Sequence, residues 1–98
     1  MPVKVVIKRK FKALDIQQVS QLLVQARTYA MQEEGYISSE TLRSMENPNE
    51  IVVLSMWEKK SDWERFKGSP SRKELEGIFA QMLERPTECT VYKMGLTA

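Results

Sequence analysis

The sequence predicts an α+β fold of order βαββαβ, a four-stranded antiparallel sheet with both helical segments on one face. Three observations predict it. The first residues alternate apolar and basic side chains; two later stretches repeat apolar residues at intervals of three and four; and between those stretches two strand-like runs are joined by a short turn.

In the opening run, Val3, Val5, Ile7, Arg9 and Phe11 fall on one side and Lys4, Lys8 and Lys10 on the other, the pattern of a half-buried strand. Asp15 followed by Gln18 makes a capping-box start. Ile16, Val19, Leu22, Leu23, Ala26, Tyr29 and Ala30 then mark a long amphipathic helix reaching about Glu34, with Gly35 as its stop. Tyr36 to Met45 reads as a second strand, and Asn47-Pro48-Asn49 turns it into a third, Ile51 to Trp57. Ser61 with Glu64 starts a short helix carrying Trp63 and Phe66, and Gly68 breaks it. Ser69-Pro70 starts the next, with Leu75, Ile78, Phe79, Met82 and Leu83 on one face and Pro86 as its end. Thr87 to Met94, including Val91 and Tyr92, supplies the fourth strand. This order is ferredoxin-like. Residues 1–98 read as one domain, without repeat, linker or low-complexity segment.

The third strand is apolar at both parities: Val53 and Trp57 share a side with Ser55, while Val52, Leu54 and Met56 take the other. A strand apolar on both sides is usually covered on both sides. The economical cover for Val52, Leu54 and Met56 is a second copy of the chain, its sheet stacked on this one, so a homodimer is expected through the sheet face. Lys4, Lys8, Lys10 and Lys12 are then expected at the sheet edge, solvated or paired with glutamates of the partner.

Composition excludes several functions. With 15 basic against 13 acidic residues the net charge is +2, which does not indicate a nucleic-acid partner. An RNA-recognition module of the same strand order needs stacking aromatics on its open sheet face, and Lys4, Val6, Lys8, Val52, Leu54 and Met56 provide none. Cys89, the single cysteine, has no partner for a disulfide, and no apolar run approaches the ~20 residues that span a bilayer. Met1-Pro2-Val3-Lys4 opens directly into a strand pattern, so the expectation is a cytoplasmic protein with no leader. The chain has 0 histidines, which removes the commonest general base and the commonest metal and haem ligand. No metal and no cofactor is expected.

The βαββαβ order at this length, Gly35-Tyr36-Ile37, the strand end Ser55-Met56-Trp57-Glu58, Trp63 six residues beyond Trp57 and the Ser69-Pro70 helix start together resemble the antibiotic biosynthesis monooxygenase family of dimeric α+β barrels. The resemblance implies a cavity between sheet and helices. In the branch that oxidises aromatic polyketides without a cofactor, that cavity is lined by an Asn and a Trp on the third strand, a Tyr on the following helix and an Arg from the next. Trp57 matches the Trp; Val53 stands at the Asn place, Trp63 at the Tyr place and Glu76 near the Arg place. In the haem-degrading branch an Asn, a Trp and a haem-ligating His correspond to the region Ile7 to Arg9, to Phe66 and to Glu76, and the missing His argues against that activity.

The resemblance therefore implies a cofactor-independent monooxygenase acting with O₂ on a small electron-rich aromatic compound such as a phenol, hydroquinone or polyketide. Arg9 and Trp57 are the candidate catalytic residues. Arg9 shares a strand face with Val3, Val5 and Ile7 and is suited to stabilising an anion under the helices, unless it snorkels to solvent at the strand end. Trp57 is a stacking wall for a ring, or core. Val53, Trp63 and Phe66 are the further candidate lining residues, although packing under the sheet explains the two aromatics without any substrate and is the favoured reading. Tyr29 and Tyr92 are candidate hydrogen-bond donors to a phenol, or tyrosines bonded to backbone groups. Cys89 reads as a small buried hydrophobe. The other function class is a non-catalytic, dimeric small-ligand-binding or stress-response protein on the same fold.

Overall fold

The computed structural model describes residues 1–96. Its elements are β1 (Val3–Lys10), α1 (Ile16–Met31), β2 (Tyr36–Arg43), β3 (Glu50–Trp57), α2 (Lys60–Lys67), α3 (Pro70–Ala80) and β4 (Glu88–Lys93). The sheet order is β2-β3-β1-β4 and every neighbouring pair is antiparallel, so the expected ferredoxin-like α+β fold is the one present. Among the described residues no helix is long and apolar enough to cross a membrane.

Strand alternation sets the layers. Val3, Val5 and Ile7 of β1 and Ile51, Ser55 and Trp57 of β3 are buried, while the residues between them are half-buried. Beneath the helices lie two packed clusters. One joins Val5, Ile7, Trp57, Trp63, Phe66 and Ala30; the other joins Phe11, Val19, Ile51, Leu75, Phe79 and Leu83. Tyr29 of α1 packs against both and spans the seam between them.

Several ends differ from the sequence expectations. Helix α1 starts as expected, with the Asp15 carboxylate accepting from Gln18 N at 3.1 Å, but it stops at Met31 because Gln32, Glu33 and Tyr36 turn back onto Tyr29, Ala30 and Glu33. Strand β2 ends at Arg43 rather than Met45, since Ser44 N bonds Glu50 O and closes the hairpin there. Ser61 does not cap α2: the helix begins one residue earlier, from an extended Lys59 that offers no side-chain cap. Ser69 does cap α3, accepting from Arg72 N. That helix ends at Ala80, well before Pro86, because Met82 O and Glu84 N bond Lys12 N and Lys10 O and draw the segment into a bridge in which Leu83 pairs with Phe11.

The lysines also lie elsewhere than expected. In the order β2-β3-β1-β4, β1 is a central strand, so Lys4 and Lys8 stand in the middle of the open sheet face, not at its edge. Lys4 lies between Met56 and Tyr92, and Lys8 between Val52 and Glu88.

Candidate functional site

Alternation along β3 sends Val53, Ser55 and Trp57 toward the helices, and the β1 register sets Ile7 opposite Val53 and Arg9 opposite Ile51. Tyr29 descends from α1, Trp63 and Phe66 from α2, and Arg72 and Glu76 from α3. These side chains enclose a cavity of about 50 Å³. Two of its lining residues, Arg27 on α1 and Thr41 on β2, are exposed and mark the mouth at the β2 edge. Arg9 and the Arg72 side chain, which reaches Cys89 of β4, close the opposite end.

One wall is aromatic. Trp57 and Phe66 stack with centroids 5.3 Å apart, Trp63 tilts against both at 6.1 and 6.2 Å, and Tyr36 meets the edge of Trp57 at 5.6 Å. Trp57 is 0% exposed, and its indole N–H donates to Ser55 Oγ at 3.1 Å, so its polar atom is satisfied without a ligand. It is core and cavity wall at once.

The closed end is ionic. Arg9 is 4% exposed and donates from Nη2 to Glu76 Oε1, while its guanidinium lies 4.3 Å from the Phe79 ring centre. Thr87 Oγ1 donates to the other Glu76 oxygen at 3.0 Å. The nearest carboxylate oxygen to Arg72 is that same Glu76 Oε1, at 3.5 Å, and its one side-chain hydrogen bond goes to Cys89 Sγ at 3.7 Å. Its guanidinium rests over Trp63 and Phe66, 5.1 and 5.9 Å from their ring centres. Burial pulls the Arg9 guanidinium below its ordinary range, with Glu76 opposing that pull and Arg72 adding to it. Arg9 Nε is buried and has no hydrogen-bond partner among the described residues.

Arg9, Tyr29, Val53, Trp57, Trp63 and Phe66 thus all border one cavity. The solvent-seeking alternative for Arg9 is overturned, because its strand position carries the guanidinium under α3, where Glu76 pairs with it. Tyr92 is a correction. The β4 register sets it opposite Lys4, so it stands 54% exposed on the other face of the sheet, remote from the cavity. Tyr29 accepts a hydrogen bond from Gln25 Nε2 at 2.9 Å rather than bonding backbone. Arg72 was not singled out from the sequence. Its signal is its spacing, four residues before Glu76 and three before the buried Leu75, which puts a cation next to the apolar stripe of α3. It also places a guanidinium within one helical turn of the position at which the family resemblance expects an arginine.

No curated protein matches the chain at a significant level. Solved structures do. A conserved protein from Methanosarcina mazei Go1 superposes with a TM-score of 0.86 at 24% identity, over 95% of this chain and 92% of that one. Rv0793 from Mycobacterium tuberculosis gives 0.84 at 21% identity, over 100% and 99%. SnoaB from Streptomyces nogalater, described as a cofactor-independent oxygenase, gives 0.85 at 12% identity, over 98% and 95%. At these identities the likeness is one of fold. The sequence model described as "Antibiotic biosynthesis monooxygenase" matches residues 2–76, which takes in every residue that lines the cavity. On that match the chain belongs to the antibiotic biosynthesis monooxygenase family.

Proposed function

We propose that the protein is a cofactor-independent monooxygenase acting on a small electron-rich aromatic compound. The carrying observation is the pairing, in one cavity, of an aromatic wall with an excess of guanidinium charge. Family membership and the fold shared with a described cofactor-independent oxygenase support the reading.

The chemistry asks little of the protein beyond binding, anion stabilisation and exclusion of water. A phenol bound near Arg72 and Arg9 ionises more readily, because the cations favour the phenolate. Both Glu76 oxygens already accept bonds, from Arg9 and from Thr87, so Glu76 is not assigned as the base and the phenolic proton passes to water. The phenolate passes one electron to O₂, and the radical pair collapses to a ring-bound peroxide. Loss of water then leaves a quinone. One oxygen atom replaces a ring hydrogen, the other becomes water, and all four electrons come from the substrate.

A cavity of about 50 Å³ is smaller than the ~150 Å³ that admits benzene, so a ring enters only with movement of side chains at the mouth, Arg27 and Leu23 being the nearest. The interlocked Trp57, Trp63 and Phe66 rings favour the second reading, a non-catalytic protein holding a small ligand. Oxygen uptake by the metal-free protein with hydroquinones, anthrones and catechols separates the two. Uptake above the uncatalysed rate, with one ¹⁸O atom from ¹⁸O₂ in the product and a loss in Arg72→Gln, supports the monooxygenase. Ligand binding with no uptake supports the second reading.

A further inference from the structure

We infer that the cavity selects an anionic aromatic ligand, with its carboxylate on Arg72 and Arg9 and its ring against Trp63 and Phe66. This rests on the proposed function only for the aromatic part, since the charge argument stands on geometry alone. The fixed charges lining the cavity are Arg9, Arg27, Arg72 and Glu76, three cations against one anion. At the closed end, Arg9 and Arg72 share a single carboxylate, and its oxygens are committed to Arg9 and Thr87.

Among the described residues Arg72 is left without a close oxygen. Its carboxylate distance of 3.5 Å is beyond a good charge-assisted bond, and its partner at 3.7 Å is a thiol sulfur, a weak acceptor. At the same closed end the buried Nε of Arg9 has no hydrogen-bond partner among the described residues. Burying surplus guanidinium charge without acceptors is unfavourable unless something fills the role, and a planar carboxylate matches the guanidinium fork in shape and charge. The inner group of two arginines and one glutamate carries one uncompensated positive charge, which a monoanion neutralises. The rings of Trp63 and Phe66 already lie against Arg72, so a ligand ring joined to the carboxylate continues that stack. Arg27 at the mouth adds attraction along the way in.

The test uses a matched pair, gentisate and methyl gentisate, which share an electron-rich hydroquinone ring and differ in the carboxylate. Binding is read by quenching of the Trp57 and Trp63 fluorescence under anaerobic conditions, so no turnover is needed. Gentisate is expected to bind about tenfold or more tightly than the ester, and Arg72→Gln to bring the two within about threefold while the far-ultraviolet spectrum stays that of the folded protein. Equal affinity for acid and ester, preference for the ester, or binding of neither overturns the inference. A preference that survives in Arg72→Gln overturns the assigned position. The outcome is separable from the monooxygenase reading: acid-selective binding without oxygen uptake removes the enzyme and keeps the anion site, and uptake with the ester as good a ligand as the acid does the reverse.

Discussion

At the scale of single residues, Glu76 is the pivot of the cavity. It is the carboxylate that both Arg9 and Arg72 approach, and Arg9 is buried under Phe79 and α3. Removing one partner of a buried pair leaves the other charge uncompensated, so Glu76→Gln is expected to destabilise the fold by about 2–4 kcal/mol in urea unfolding, somewhat below the full range for a dry pair because Glu76 keeps 20% of its side-chain surface. Replacing both members together, Arg9→Met with Glu76→Met, is expected to recover much of that loss. A double variant no more stable than the single one would show that the pair is not the unit of stability. Gly35 is the second residue with a clear mechanism. Its φ of +88° is left-handed, and a Cβ there would stand 2.1 Å from Asp62 Oδ2. Gly35→Ala is expected to cost about 3 kcal/mol, from backbone strain and displacement of the buried Asp62 that pairs with Arg65, and to appear as a lowered Tm.

At the scale of elements, the capped helices are the ones whose starts were readable from sequence. The side chains of Asp15 and Ser69 both accept from the backbone N–H three residues on, and Asp15→Ala is expected to destabilise by about 1 kcal/mol, measured in urea, because α1 then opens with orphan donors. Ser61-Asp62-Trp63-Glu64 carries the same signature and fails. Lys59 leaves β3 in an extended conformation and the helix starts directly after it, so Ser61 is already inside the first turn. The end of α3 was unreadable for a different reason: the backbone of Met82 and Glu84 is claimed by Lys12 and by Lys10 at the end of β1, partners some seventy residues earlier in the chain. The same distance effect governs the site. Strand parity alone brought Arg9, Val53 and Trp57 to one face, since β1 and β3 each carry enough apolar residues to show which side is inside. In β4 the fragment Cys89-Thr90-Val91-Tyr92 is apolar at both parities, and only its register with β1 decides that Tyr92 faces away. Arg72 was missed because a cation near an apolar helix stripe usually snorkels outward; here Glu76, Cys89 and two aromatic rings hold it in.

At the scale of the whole molecule, the unresolved balance is on the open sheet face. The registers place Ser38, Met56, Lys4 and Tyr92 in one row there, Glu40, Leu54, Val6 and Thr90 in the next, and Leu42, Val52, Lys8 and Glu88 in a third. In these rows two lysines stand against two glutamates, and Lys10 lies opposite Glu50 in the next, so the face carries no net charge to oppose stacking on a copy of itself. Its centre is apolar, with Leu54 and Val6 side by side, and Leu42 and Tyr92 at opposite edges are 46% and 54% exposed. A hollow of about 200 Å³ lined by Lys4, Glu40, Leu54 and Met56 leaves room for a partner's side chain. A two-fold stack turns the strands of one sheet across those of the other, and the face's own lysines and glutamates are then available to pair between copies, which a flat, like-charged surface does not allow. The expected outcome is a dimer in sedimentation velocity at micromolar concentration. Leu54→Lys is expected to shift it to monomer, because the substitution puts two like charges on long side chains at the middle of an apolar contact and upsets the charge balance of the face. A monomeric wild-type protein would remove the stack altogether. A variant that stays dimeric would move the interface to another surface, and Val52, Leu54 and Met56 would then be half-buried only by their own neighbours on the sheet.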